Sequence, residues 1–296
     1  MDPGLDNVFV LVVAGAGTGV LGALLGTGGG VFLIPILVVG FDVPMHHAVA
    51  TSIISVIATS SAVASGNVQR GLANMPLGMT LETATTCGAI AGGLTAALLH
   101  PTLLEGLFSF VLVPTALLMW RSAGAAPANR IDPHHADVPA APPSQKSPVP
   151  DDPLAGSYYD AALRRDVVYR VRRLWAGMGI AFVAGNLSGL LGIGGGVFKV
   201  PALHLVCGMP IKAAAATSNF MIGVTATASA FLYFGRGQVR PVMTAAVVLG
   251  VLAGSAAGLS LNNLARGRFI KRLFAVLLLA VALQMFVRAL MSGGAS

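Results

Sequence analysis

Charge is what this sequence has least of. Only 10% of its 296 residues are Asp, Glu, Lys or Arg, against roughly 25% in a soluble domain, so a fully water-facing surface is excluded. Cysteine is nearly absent. Cys87 and Cys207 are the two present, each inside an apolar run with no CxxC spacing, which excludes a disulfide framework and a thiolate metal site. They read as small buried residues, and neither a metal nor a cofactor is expected. Aromatic residues make up 6%, and no surface alternates them with basic side chains. Nucleic acid is therefore not an expected partner, despite a net charge of +7. Met1-Asp2-Pro3-Gly4-Leu5-Asp6 offers no basic segment ahead of the first apolar run, so no cleaved signal peptide is expected.

What remains is grease: 55% of the residues are hydrophobic and the mean hydropathy is +0.80. The apolar stretches run to about 18–25 residues, enough to cross roughly 30 Å of hydrocarbon. The chain reads as an all-α polytopic protein of the cell membrane, crossing it several times, with lipid as its surroundings.

One pattern occurs twice. Gly26-Thr27-Gly28-Gly29-Gly30-Val31-Phe32-Leu33-Ile34-Pro35 returns as Gly192-Ile193-Gly194-Gly195-Gly196-Val197-Phe198-Lys199-Val200-Pro201. Pro44, Ala48, Ala50, Thr51 and Ser52 recur as Pro210, Ala214, Ala216, Thr217 and Ser218 at the same offset, 217 less 51, or 166 residues. The chain is thus a duplication. Residues 1–121 form a first transmembrane repeat, 122–165 a flexible Pro- and Ala-rich cytoplasmic linker, and 166–296 a second repeat. Each repeat reads as a helix broken at the glycines, followed by three spans: 44–65, 77–99 and 102–120, then 210–234, 241–264 and 269–291.

A broken segment either crosses the membrane as a bent helix or re-enters and returns to its starting side. With Arg164, Arg165, Arg170, Arg172 and Arg173 placed in the cytoplasm, crossing would put the basic cluster Arg266, Arg268, Lys271 and Arg272 outside. Re-entry makes that cluster, Arg70 and Lys212 cytoplasmic and inverts the two repeats, although Arg236, Arg240 and Arg288 then count against it. The inverted, re-entrant arrangement is the expectation, and it is a recurrent plan among secondary transporters.

Gly28, Gly29 and Gly30, with Gly194, Gly195 and Gly196, leave bare N–H groups at the start of each following half-helix, whose dipole end suits an anion. Close helix packing is the alternative role for such small residues. Thr51, Ser52, Thr217, Ser218 and Asn219 stand on the next helices, as oxyanion donors or as interhelical glue. Lys199 replaces Leu33 of the first copy. An ionisable side chain at membrane depth is costly, near +3 kcal/mol on translocon scales, and marks either a charge for the anion or a snorkelling stem. Glu82 is an acid well inside a span: a partner for a cation, a candidate proton carrier, or a residue of the membrane interface.

Together, the two motifs ending in Pro35 and Pro201, each followed by Ala50-Thr51-Ser52 or Ala216-Thr217-Ser218, resemble the sulfite exporter family TauE/SafE. The resemblance covers all but the linker and the tails. It implies that duplicated halves carry sulfite, sulfoacetate or a related sulfur oxyanion across the cytoplasmic membrane. In that family the position of Lys199 is usually apolar, and the linker here is long. Export of a monoanion gains about 2.3 kcal/mol per 100 mV of negative-inside potential, so alternating-access export needs no coupling ion. An anion channel and a proton-coupled importer using Glu82 are the alternatives. No catalysis is expected, since Ser188 and Cys207 have no histidine at a useful spacing within a span. Self-association is left open.

Overall fold

The computed structural model describes residues 5–25, 28–124, 154–160 and 165–261, with scattered positions between 276 and 286. Helix α1 (Leu5–Leu25) stops at the first glycine run, and α2 (Gly30–Pro35) restarts beyond it and passes into a π-helical turn, Ile36–Gly40. Pro44, at ψ 140°, turns the chain into α3 (Met45–Gln69). Asn74 opens α4 (Met75–Ala96) by accepting the Leu77 N–H at 3.1 Å, satisfying one of the donors a helix start leaves free. Helix α5 (Pro101–Gly124) follows.

Strands β1 (Gly156–Asp160) and β2 (Arg165–Tyr169) then pair antiparallel. The second series runs α6 (Leu174–Leu191), α7 (Gly196–Leu205), α8 (Ile211–Gly235) and α9 (Pro241–Leu261). Helices α3 and α8 are both 25 residues long and each follows a proline at ψ 140°, as the duplication requires. Met45–Gln69, Leu174–Leu191 and Pro241–Gly258 are long and apolar enough to cross a membrane. Phe110, Phe231 and Leu249 stay 76%, 74% and 64% exposed, an outward face that suits lipid rather than water.

The halves interlock through small residues. A Cβ on Gly15 would lie 2.5 Å from the Val247 carbonyl oxygen, and one on Gly19 2.3 Å from that of Val251. On the other side, Gly88 meets the Phe182 carbonyl at 2.1 Å and Gly185 meets that of Thr85 at 2.1 Å. Backbones in such contact have no room for a side chain, which is how helices associate where hydrocarbon offers no hydrophobic drive. The residue pairs rise together, so α1 lies along α9, and α4 along α6, in the same direction. Helices α3 and α8 lie in opposite directions. His47 Nδ1 donates to the Gln238 carbonyl just past the end of α8 at 2.6 Å, and the Asn74 N–H, past the end of α3, donates to Thr217 near the start of α8 at 2.9 Å.

The stretch expected as linker ends in structure. Tyr158 and Tyr169 are buried against Leu77, Leu81, Leu203, Cys207 and Met209, while Tyr159 is 58% exposed, the in-and-out alternation of a strand. The sequence reading missed that alternation among the prolines before it. Asn74 donates to the Leu154 carbonyl at 3.0 Å and hydrogen-bonds the Tyr169 hydroxyl, whose burial raises its pKa above a tyrosine's usual value. Residues 125–153, the Arg266 to Arg272 cluster and most of the expected span 269–291 lie outside the described residues.

Candidate functional site

Both helix breaks depend on a backbone only glycine adopts readily. Gly28 and Gly29 have φ of 78° and 74°, and Gly194 and Gly195 have 75° and 68°. A side chain in that left-handed region costs roughly 1–2 kcal/mol. The Gly29 carbonyl accepts from the N–H groups of Phe32 and Leu33 at 3.1 and 3.3 Å, and that of Gly195 from Phe198 and Lys199 at 3.1 and 3.0 Å. Each half-helix therefore begins afresh inside the fold, with its first N–H groups lacking a preceding turn to bond.

The two breaks meet. A Cβ on Gly28 would stand 3.2 Å from Val56 Cγ1 and 3.6 Å from Ile222 Cγ2, and one on Gly194 would stand 2.9 and 3.1 Å from the same two atoms. Val56 and Ile222 are themselves equivalent positions of the repeat, so the two openings face each other across a matched aliphatic pair. Both side chains are fully buried and fill the space between the breaks.

The polar residues around them divide. Ser52 donates to the carbonyls of Gly192 at 2.8 Å and Gly30 at 3.3 Å, tying the first half-helix to the second break. Thr51 pairs with Thr244 at 3.2 Å, and Thr217 accepts from Asn74. These three act as interhelical ties in this state. Ser218, the counterpart of Ser52, is fully buried and finds no hydrogen-bond partner among the described residues. Asn219 is buried beside it in sequence.

Lys199 does not snorkel; it is 2% exposed. Its stem folds back toward the break, with Cε 3.6 Å from where a Cβ on Gly195 would sit. The ammonium donates to Thr225 Oγ1 at 2.6 Å, Thr225 donates to Glu82 Oε1 at 2.5 Å, and Nζ lies 3.8 Å from Glu82 Oε2. Thr85 and Thr86, one turn on along α4, also donate to this carboxylate, at 3.1 and 3.2 Å. The two charged residues that the sequence singled out separately are thus one unit, joining α4, α7 and α8. The sequence reading missed Thr225, Thr85 and Thr86. The i+3 and i+4 spacing from Glu82 to Thr85 and Thr86 was the available signal. A small cleft lined by Leu81, Ala181, Leu203, Cys207 and Met221 opens along the lysine stem.

This geometry accompanies a clear family likeness. The family described as "Sulfite exporter TauE/SafE" matches residues 11–285. The "Probable membrane transporter protein YunE" of Bacillus subtilis (strain 168) is 26% identical over 290 residues, 96% of this chain and 98% of that protein. A "Probable membrane transporter protein" of Xylella fastidiosa (strain Temecula1 / ATCC 700964) is 24% identical over 289 residues, 96% of this chain and 97% of that protein. The "Probable membrane transporter protein YdhB" of Bacillus subtilis (strain 168) is 24% identical over 83% of this chain and 86% of its own length. No solved structure matches the chain.

Proposed function

Because the chain belongs to the sulfite exporter TauE/SafE family and is a membrane transporter, we propose that it exports sulfite or a small organosulfonate such as sulfoacetate across the cell membrane by alternating access. One observation carries this reading: the glycine breaks of both repeats converge on the single pair Val56 and Ile222. Two half-helix openings aimed at one spot make a site for an oxyanion, because bare N–H groups and two positive dipole ends point the same way. The buried, unpartnered hydroxyl of Ser218 and the Lys199 ammonium beside Gly195 add donors to the second side. Val56 and Ile222 close the gap between the two openings, and the anion is admitted when α3 and α8 part.

The repeats are inverted, in this reading, and their broken segments re-enter. Helix α9 begins where α8 ends, and that is where α3 begins, next to Gln238. Helix α1 lies along α9 in the same direction, so it starts from the same face, and α2 with its π-turn returns there before α3. The mirror of this path runs through α4, α6, α7 and α8. Broken helices meeting near the midplane between inverted repeats are the transporter plan, and backbone of this kind is tolerated at that depth only where protein covers it.

The test is transport by the purified protein in proteoliposomes. Efflux of sulfite or sulfoacetate is expected to saturate, to be driven by an outward-positive potential, and to show counterflow of labelled substrate. Flux that rises linearly without counterflow would mean a channel. Flux that stops without a proton gradient would move the reading to proton-coupled uptake.

A further inference from the structure

The buried Lys199 is already answered by an anion of the protein's own, but loosely. The ammonium has three donors, and its one hydrogen bond among the described residues is to Thr225; the direct approach to Glu82 is 3.8 Å. Glu82, by contrast, accepts from the Thr86 hydroxyl at 3.2 Å and from those of Thr225 and Thr85 at 2.5 and 3.1 Å, the last two shared with the Met221 and Leu81 carbonyls at 2.8 Å. The pair is lopsided. If Lys199 turned away, the carboxylate would keep Thr86 and its share of Thr225 and Thr85, whereas the lysine would need another acceptor. That acceptor position lies on the break side, because Cε already stands against Gly195, the residue that opens α7.

Resting on the anion-transporter reading above, we propose that Glu82 is the resting counter-anion of Lys199 and is exchanged for the transported anion. The incoming oxyanion takes the lysine and the first N–H groups of α7. Glu82 then remains on Thr225, Thr85 and Thr86, and the α4 to α7 bridge opens. The exchange explains why both charges are buried beside an apolar wall: Leu81, Ala181 and Met221, all buried, line the cleft along the lysine. It also gives the carrier a lock that only an anion releases. No proton is needed for the exchange itself. Around the pair, α6 brings no titratable group among the described residues, α8 brings Thr225, and Cys207 lines the same cleft as the lysine.

The experiment is a thermal-shift titration of the full chain in detergent with sulfite, sulfate, sulfoacetate, phosphate and chloride, each as its sodium salt. The variants are Glu82→Gln, Thr225→Val, and Glu82→Gln combined with Lys199→Met. Removing the internal competitor is expected to tighten apparent anion affinity by about tenfold or more, the factor by which a binding-competent state populated at ~10% depresses affinity. Thr225→Val keeps both charges but loses the hydroxyl that clamps them. It moves affinity in the same direction by a smaller factor, and decides the matter alone should Glu82→Gln fail to fold. The double variant loses the gain. A merely structural ion pair does not tighten binding when broken, so affinities within twofold of the parent overturn the exchange. Were sulfur oxyanions inert toward the parent and Glu82→Gln alike, while phosphate or chloride bound the variant more tightly, the exchange would stand and the sulfur substrate would fall. If no anion shifts any variant, both fall.

Discussion

Two matched positions tell the halves apart. Lys199 of the second half pairs with Glu82 of the first, and the counterparts of these two residues are Leu33 and Val248. Leu33 is 1% exposed; Thr59 bonds the Ser55 carbonyl of its own helix at 2.9 Å as its counterpart Thr225 bonds that of Met221 at 2.8 Å, but Thr225 also bridges the charged pair. The skeleton is thus duplicated while the charge is not. A symmetric scaffold with one charged flank can have two conformations of unequal energy, which lets an anion bias one of them. What holds the fold, the glycine breaks and the small-residue seams, is common to both halves. What would discriminate a ligand lies on one flank, where Lys199 of the second half meets Glu82 of the first.

The strongest way to break this contrast is to erase it. Lys199→Leu copies the first half but strands Glu82 in the core, and losing one member of a buried pair costs about 3–5 kcal/mol. Adding Glu82→Val completes the symmetry and is expected to restore most of that, since apolar replacement of a whole buried pair is often neutral or stabilising. Thermal unfolding reads both steps, and proteoliposome efflux is expected to be lost in both. Parental efflux from the fully symmetrised protein would show that the charged flank has no part in transport.

Much of the scaffold was legible because lipid imposes it. The apolar runs and the 166-residue offset locate the breaks and the helices after them to within a few residues; where spans are expected at 44–65 and 210–234, helices run over Met45–Gln69 and Ile211–Gly235. Pairing was not legible. That α1 seats on α9 and α4 on α6 follows from Gly15 and Gly19, Gly88 and Gly92, Gly185 and Gly189, and Gly250, Gly254 and Gly258, each set spaced by four, but the spacing alone does not say which set meets which. Lys199 stands out as costly in a bilayer and Glu82 as an acid inside a span, yet they lie far apart in sequence, and only the fold brings them to one threonine. Ser52 read equally as an anion donor or as interhelical glue; which carbonyls it ties is a three-dimensional fact with no sequence signature.

Substitution at matched glycines sharpens the shared half of the contrast. Gly29→Ala and Gly195→Ala each force a side chain into the left-handed region and against a carbonyl, that of Thr18 at 2.9 Å or Ala184 at 3.0 Å. Strain and overlap together are expected to cost about 2–4 kcal/mol in either case, so the two melting temperatures should fall by similar amounts. The matched serines should then diverge. Ser52→Ala leaves two buried carbonyls without their donor, about 1–3 kcal/mol. Ser218→Ala removes a hydroxyl with no described partner, so stability should change by less than about 0.5 kcal/mol while sulfite affinity drops. Equal destabilisation by the two serines would mean that Ser218 is a tie like Ser52.

The most local effect belongs to the hairpin, which has no counterpart among the described residues of the first half. Tyr169→Phe removes a hydrogen bond to Asn74, whose own N–H holds Thr217, at an expected cost of about 1 kcal/mol. The sign of its pH dependence follows from burial. A hydroxyl whose folded pKa is raised favours the neutral form in the folded state, so its contribution is complete below a tyrosine's usual value of about 10 and is lost as pH climbs past the folded value. Limited proteolysis between residues 154 and 169 should therefore stay slow up to about pH 10 and accelerate above it in the parent. In Tyr169→Phe the loss through this group disappears, leaving a flatter profile from a slightly faster baseline. A parental rate that rose already near neutral pH would place the weak point elsewhere in the hairpin's seat, since Tyr169 is then still fully protonated.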